Sequence, residues 1–540
     1  MTSKSTPDTV SSDHAAMAPY WAKVDAILGG TGAMRDAGET YLPKFPNETV
    51  PDYDYRRDNA KFTNIFADIV GTLATKPFGE EVALTDKSAS DPIKALAEDI
   101  DGRGNHLHVF AANTFFTGIN DAVSWILVDY TKARTRADGR PLSLAEEKRQ
   151  GLRPYWVHIP ARRMLAVYSD VIQGKEIFTH ARISETVLRR DGFDEVSIQR
   201  VRVLDREPVF EVLEDGKTTD TVVDYAPATF QLYEKKTRTT GRGRGSDGWE
   251  VVESGFVTIG EIALVPFITG RRVEGSWRFA PPMLDAADLQ IEHYQQETAL
   301  KSICELTAFP MLAGNGVTPP MVDGKPAAVP VGPRSVLYAP PSGDNGSHGE
   351  WTFIEPSAQS LTFLASQVEA TEKQLRELGR QPLLTTSGIT VVAAAAATQK
   401  AGSVLKAWAL GLKDALEQAL MFTAKWLNDA SQPTISWNLD DLDLDLDGQD
   451  GPATLLDARK NGDLSQETLW SEFKRRSILS ADFDADAERQ RIEDEMPDAD
   501  GEDDIIGAMP PANDPEADPA DDSSNDPDPT DAPAPEDVAA

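Results

Sequence analysis

Residues 358–380, AQSLTFLASQVEATEKQLRELGR, decide the architecture. Leu361, Leu364, Val368, Thr371, Leu375 and Leu378 step by 3, 4, 3, 4 and 3, a heptad-like seam that predicts one long helix packed along another. Gly379 ends the pattern and Pro382 follows it. Upstream, Pro281-Pro282 opens a second long helical pattern, in which Leu284, Ala287, Ile291 and Tyr294 step by 3, 4 and 3. Between the two lies a Pro- and Gly-rich insert with strand-like runs at 311–312, 335–338 and 351–354. Two helices joined by such an insert can run antiparallel, with the insert at the tip. An intramolecular helix hairpin of any α+β protein satisfies the same periodicity.

Downstream, 383–388 reads as a polar loop and 390–427 as a long Ala-rich helix. The apolar run 389–397 is too short to span a bilayer. Toward the N-terminus, residues 1–17 read as a loose polar arm without a secretory h-region. Residues 20–84 are helical in pattern, and Phe62, Ile65, Phe66, Ile69, Val70 and Leu73 recur clearly. Two more helices are expected from Asp91, then strands at 122–130, 157–159 and 164–168. From Glu176 to Ile268 short β runs alternate with turn residues, which predicts a meandering antiparallel sheet. In 196–203 the apolar face switches midway, so a bulge is expected there. Thr434 to Asn438 reads as a strand, and Ser465 caps a short amphipathic helix to Ser477.

The chain has 540 residues, 88 acidic against 53 basic, and a net charge of −35. Residues 481–540 hold 22 acids and 2 bases, so they carry −20 and leave −15 on the first 480. The tail beyond about Asp498 is Asp, Pro, Ala and Glu, a disordered composition. This balance argues against a protein that coats nucleic acid with a basic surface. It leaves room for nucleic acid held loosely inside a ring. The single cysteine, Cys304, excludes an intramolecular disulfide and a Cys-based zinc site. The chain reads as a soluble protein, made inside the cell.

Motifs for catalysis are absent: no P-loop, no HExxH and no GxSxG. Gly241-Arg-Gly-Arg-Gly245 sits between strands with no helix after it, so it reads as a hairpin tip rather than a phosphate loop. His106 and His108 are expected on one strand face, without a metal partner. The acidic stretch from Asp443 imitates half an EF-hand, but loop position twelve is Thr454 instead of Glu. Adjacent acids such as Glu80-Glu81 and Glu146-Glu147 do not face each other across a cleft. The expectation is no enzyme, no cofactor and no metal.

The order of segments resembles the portal proteins of tailed bacteriophages, in particular a divergent group. The matching stretches are YLPKFP at 41–46, NIFADIVGTLATKP at 64–77, ILVDY at 126–130 and RPYW at 153–156. They continue with VPFITG at 265–270, PPMLDAADL at 281–289, His293-Tyr294, Phe309-Pro310, DLSQETLW at 463–470 and RRSIL at 475–479. The resemblance implies an α+β, portal-like subunit: an N-terminal arm (1–18), an α/β wing (19–280), a first stem helix (281–308), a small β-rich clip (309–355) and a second stem helix (356–378). A tunnel loop (379–390), a long wing helix (391–430), a C-terminal wing and helical crown region (431–497) and an acidic tail (498–540) follow.

It further implies a virion protein at the capsid portal vertex, present in host cytoplasm during assembly. About twelve copies would close by heterologous contacts into a ring channel for double-stranded DNA packaging and ejection. The implied partners are the terminase large subunit, the major capsid protein and a head–tail connector protein, with no membrane. In the tunnel, Gln381, Thr385, Thr386 and Ser387 would approach the DNA, with Lys373, Arg376 and Arg380 as phosphate neighbours; Arg376 also has the alternative of a helix-surface ion pair. In the clip, Phe309, Met311, Leu337, Tyr338, Trp351 and Phe353 would form the docking surface. A conduit should not grip a polyanion, and a ring of acidic subunits suits that. Two alternatives stand beside this: a soluble acidic hydrolase with an unrecognised carboxylate pair, and another minor virion structural protein.

Overall fold

The computed structural model describes residues 5–85, 87–132, 146, 149–213, 218–239, 245–307, 311–315, 321–322, 325–326, 336–339, 350–354, 358–380, 391–439, 451–475, 478–479 and 483–495. The chain divides into two compact units, Met1–Ile478 and Leu479–Ala540. The boundary falls within two residues of the shift in charge at 481. The described element of the second unit is one helix, Ala485–Glu495.

The first unit opens with helices α1 (Ser12–Leu28), α2 (Gly30–Asp36), α3 (Val50–Asp58), α4 (Ile65–Thr75), α5 (Asp91–Ala97) and α6 (Leu107–Asp121). Helix α1 starts where Ser11 accepts from the His14 N–H at 3.2 Å. Pro19 lies inside it, and Met17, Tyr20, Trp21, Val24 and Ile27 bury one face. The expected arm over 1–18 is therefore shorter, because α1 begins seven residues before Pro19. His106 and His108 are likewise not on a strand. His106 is the N-cap of α6 and His108 lies in its first turn, with stacked rings 6.0 Å apart. The apolar stripe Leu107, Phe110, Ala111, Phe115 and Ile119 runs at helical spacing and overrides the short alternating look of His106–His108.

The strands are β1 (Val123–Tyr130), β2 (Pro154–Pro160), β3 (Met164–Ile172), β4 (Lys175–Asp191), β5 (Asp194–Asp205), β6 (Pro208–Val212), β7 (Thr218–Tyr225), β8 (Thr229–Thr239), β9 (Gly245–Phe256) and β10 (Leu264–Ile268). One antiparallel sheet has the order β10-β1-β2, and a larger one the meander β9-β8-β5-β4-β3. Strands β6 and β7 form a separate ribbon. The bulge expected in 196–203 is not there, since β5 pairs with β4 in continuous register. Its apolar face switches because its first half lies in an exposed ribbon and only Val201 and Leu204 are buried. The irregularities fall instead in the β3–β4, β8–β9 and β6–β7 pairings.

The core lies around the three-stranded sheet. Trp125, Ile126, Trp156, Ile159, Val265 and Phe267 are buried between the early helices and a long C-terminal one. Ala122 makes the α6-to-β1 corner at φ +71°, and its carbonyl accepts from the N–H groups of Thr269 (3.1 Å) and Gly270 (2.9 Å). A side chain at Gly270 would meet Ala122 and the Ala280 carbonyl at 2.8 Å, so the close approach needs glycine.

Helix α7 (Leu284–Thr307) follows, then the short strands β11 (Met311–Asn315), β12 (Val336–Ala339) and β13 (Glu350–Ile354). Helices α8 (Ala358–Arg380), α9 (Val391–Leu427), α10 (Gly451–Lys460) and α11 (Gln466–Arg475) complete the unit. Helix α9 packs on β10, β1 and β2 through Leu405, Trp408, Ala409, Leu412, Leu416, Ala419 and Leu420. Trp156 Nε1 donates to Thr423 Oγ1 at 2.9 Å. Beyond α9, Ile435-Ser436 pairs with Ala83-Leu84 and ties the end of the unit to its beginning. Ser465 Oγ accepts from the Thr468 N–H at 3.1 Å, as its capping role requires. The fold is α+β.

Candidate functional site

Helices α7 and α8 form an antiparallel hairpin. Thr371 Oγ1 donates to Gln296 Oε1 at 2.9 Å. Further along α8, Glu372 and Arg376 act electrostatically on His293, earlier in α7, which fixes the sense of the pairing. The seam is buried most deeply at Thr371 and Leu375, and Leu361, Leu364, Val368 and Leu378 are half-buried. The hairpin also rests on α4, which α8 packs against.

The tip of the hairpin is the small sheet. The chain leaves α7 at Thr307, and Met311 is already paired with Ile354, four residues before α8 begins. Strand β11 is central, antiparallel to β13 and parallel to β12. Its register places Tyr338 and Trp351 on either side of Gly314 in one row, and Phe353 opposite Leu312. Met311 pairs with Ile354 and Leu337 with Ala313. Phe309 lies outside the described residues.

Of the expected tunnel residues, Lys373 is exposed, 3.8 Å from Glu377. Arg376 donates to Glu372 at 3.0 Å and lies 3.6 Å from Asp68 of α4. Its charge is thus locally balanced, the ion-pair alternative open in the sequence. Arg380 is the last residue of α8. Gln381, Thr385, Thr386 and Ser387 lie outside the described residues, as does the acidic 440–450 stretch.

The polar face of α7 was not legible beforehand. Buried Gln290 accepts from the Phe66 N–H at 2.9 Å and donates to the Thr63 carbonyl at 3.0 Å. Glu297 accepts from the Thr63 N–H (3.1 Å) and hydroxyl (2.9 Å), and from Lys61 Nζ at 2.7 Å. Thr298 and Lys301 donate to the carbonyls of Lys61 (3.2 Å) and Asn59 (2.7 Å). Gln290 and Glu297 are seven residues apart, so one stripe of α7 zips along the chain entering α4. The spacing 290, 293, 297 was the available signal. His293 is buried among these groups, and burial holds its imidazole below the ordinary value against Glu297 and Glu372. The stripe satisfies backbone groups and holds α7 to the body. It places no nucleophile beside a base. Among the described residues no cluster of three or more His, Cys, Asp or Glu could hold a metal ion, and no described helix is long and apolar enough to cross a membrane.

A second polar cluster lies where the two sheets meet. Arg202 donates to Asp129 and Glu185, each at 2.7 Å, and the Tyr155 hydroxyl donates to Asp129 at 3.1 Å. Burial alone would lower the Arg202 pKa; the two carboxylates overrule it and raise it. Burial and the Asp129 charge push Tyr155 up to about 12. The cluster borders a groove of about 460 Å³.

A family model described as "Domain of unknown function (DUF4055)" matches residues 282–427, a range that includes α7, the small sheet, α8 and α9. No curated protein matches the chain. Among solved structures, the neck of an empty GTA particle computed with C6 symmetry is similar at 13% identity and a TM-score of 0.33, over 81% of this chain and 91% of that one. The neck of a native GTA particle computed with C12 symmetry is similar at 12% identity and a TM-score of 0.30, over 80% and 89%. Likeness of that degree is too remote to carry function across.

Proposed function

We propose that the chain is one subunit of a phage portal: a closed ring at a capsid vertex through which double-stranded DNA is packaged and ejected. The observation that carries this reading is the α7–α8 hairpin capped at one end by a three-stranded sheet. Such a hairpin is a rod about 35 Å long, with a three-stranded sheet at its tip that would serve for docking. Arranged side by side in a ring, rods of this kind line a channel. The family match to 282–427 supports the reading, because it takes in the hairpin, its small sheet and the long helix α9 together.

In this reading the chain is a conduit and not an enzyme. Its acidic body, −15 over the first 480 residues, repels a polyanion and keeps phosphate contacts few. The tip sheet meets the packaging terminase and later the head–tail connector. Light scattering on purified full-length protein tests the assembly. Its expected mass is about twelve times the 58.8 kDa chain; a stable 58.8 kDa species at micromolar concentration contradicts it.

A further inference from the structure

We propose that the tip of the β4–β5 ribbon, led by Phe193, docks in the groove between the two sheets of a second copy of the chain. The inference rests on the ring reading above and names a contact that would build it. Beyond Ile183, β4 pairs only with β5, and before Arg200 β5 pairs only with β4. The result is a two-stranded ribbon reaching about 25 Å from the sheet. Ribbons of two strands are marginal in water unless something covers them.

The tip has no folding reason to be apolar. Asp191 pairs with Asp194 around the two-residue turn Gly192-Phe193, with Gly192 at φ +64°. Such turns ask for glycine first and tolerate polar residues second. Phe193 is nevertheless 103% exposed, with the Arg190 guanidinium 6.0 Å from its ring. Leu188 and Val196 on the same ribbon are 61% and 40% exposed. An exposed aromatic at the end of such a ribbon is a suitable anchor.

The groove offers the matching surface. Leu127, Leu204, Phe230, Ile262 and Trp426 line it, and Phe256, 78% exposed, also borders it. Its charges are paired internally, Arg202 with Asp129 and Lys132 with Glu253 at 2.9 Å. The ribbon carries Arg189 and Arg190 against Asp191, Asp194 and Glu195. Both surfaces are close to neutral in a chain at −35, so two copies can meet here without strong repulsion. The occupant comes from another copy because Arg202 and Leu204, farther along the same strand β5, line the groove, which leaves its own tip about 30 Å away. A tip of one copy in the groove of the next joins two different surfaces, the arrangement that closes into a ring.

The test uses full-length protein in a Cys304→Ser background with Phe193→Cys and Phe256→Cys together. Mild oxidation should give a ladder of inter-chain disulfide products, which neither single cysteine gives beyond dimers. No ladder, or a cross-link only within one chain, overturns the inference whatever particles are imaged. Phe193→Asp should keep the wild-type far-UV circular dichroism, because the residue is fully exposed in the single chain, and should reduce the ring fraction at least tenfold. Wild-type ring yield from that variant also overturns it. Rings in the wild type with no cross-link leave the portal reading standing. A ladder without closed rings supports the contact and counts against the portal.

Discussion

Thr371 and Gln296, 75 residues apart in the chain, meet at 2.9 Å about halfway along their two helices. This bond fixes the axial register of the α7–α8 hairpin, on which the proposed role depends. Thr371→Val keeps the branched shape and removes the donor. The expected cost is about 1 kcal/mol, since half-buried Gln296 can turn to water. Amide exchange in the middle of α8 should quicken about fivefold. Unchanged exchange would show that the seam of leucines alone sets the register.

Gly118 and Phe267 make a second close relationship. A Cβ at Gly118 would stand closer than 3.0 Å to the Phe267 ring, which is fully buried and stacked on Phe115 with centroids 5.6 Å apart. Gly118→Ala gains about 1 kcal/mol of helix propensity and loses about 1–3 kcal/mol to overpacking. Net destabilisation is expected by urea unfolding. Gly71→Ala in α4, where nothing lies within 4 Å, should instead stabilise. The same sign for both variants would contradict the packing of α6 on β10.

Burial beside Arg163 lowers the His158 pKa to about 4 from its ordinary 6.5, and Ser124 Oγ lies 2.8 Å from its Nε2. The folded state holds the ring neutral, whereas the unfolded chain takes up a proton below pH 6.5. Its contribution is therefore complete above pH 6.5 and is lost as pH falls toward 4. The ceiling is about 3 kcal/mol. Between pH 7 and pH 5, His158→Gln should lose less stability than wild type in urea titrations. Parallel curves for the two proteins would show that His158 is not the group.

Arg202 neutralises two carboxylates at once. Arg202→Met keeps much of the stem and leaves Asp129 and Glu185 facing each other. A loss of about 3 kcal/mol is expected. Adding Glu185→Gln should recover part of it, whereas strictly additive losses would mean the three groups are not coupled.

Much of the fold was legible because periodicity reports burial directly. The seam of Leu361 to Leu378 and the β meander follow from local spacing, and the Ala-rich composition of 390–427 from helix propensity. The start of α1 was hidden by Pro19, which sits inside a helix that gains its stability from Met17, Trp21 and Val24 in the core. The His106–His108 pair looked like a strand because three residues cannot show a helical period. The polar stripe of α7 was hidden for another reason. Gln290 and Glu297 serve backbone groups of residues more than 220 positions away; their spacing marks one face of α7 but not what that face meets. The groove was illegible in the same way, since its lining comes from segments between Leu127 and Trp426.

Electron microscopy of the purified full-length chain tests the central claim most directly. The account predicts closed rings with an open central channel wide enough for a DNA duplex, the α7–α8 hairpins lining it and the three-stranded sheets gathered at one end. Monodisperse monomers, or closed oligomers with no channel, would contradict it.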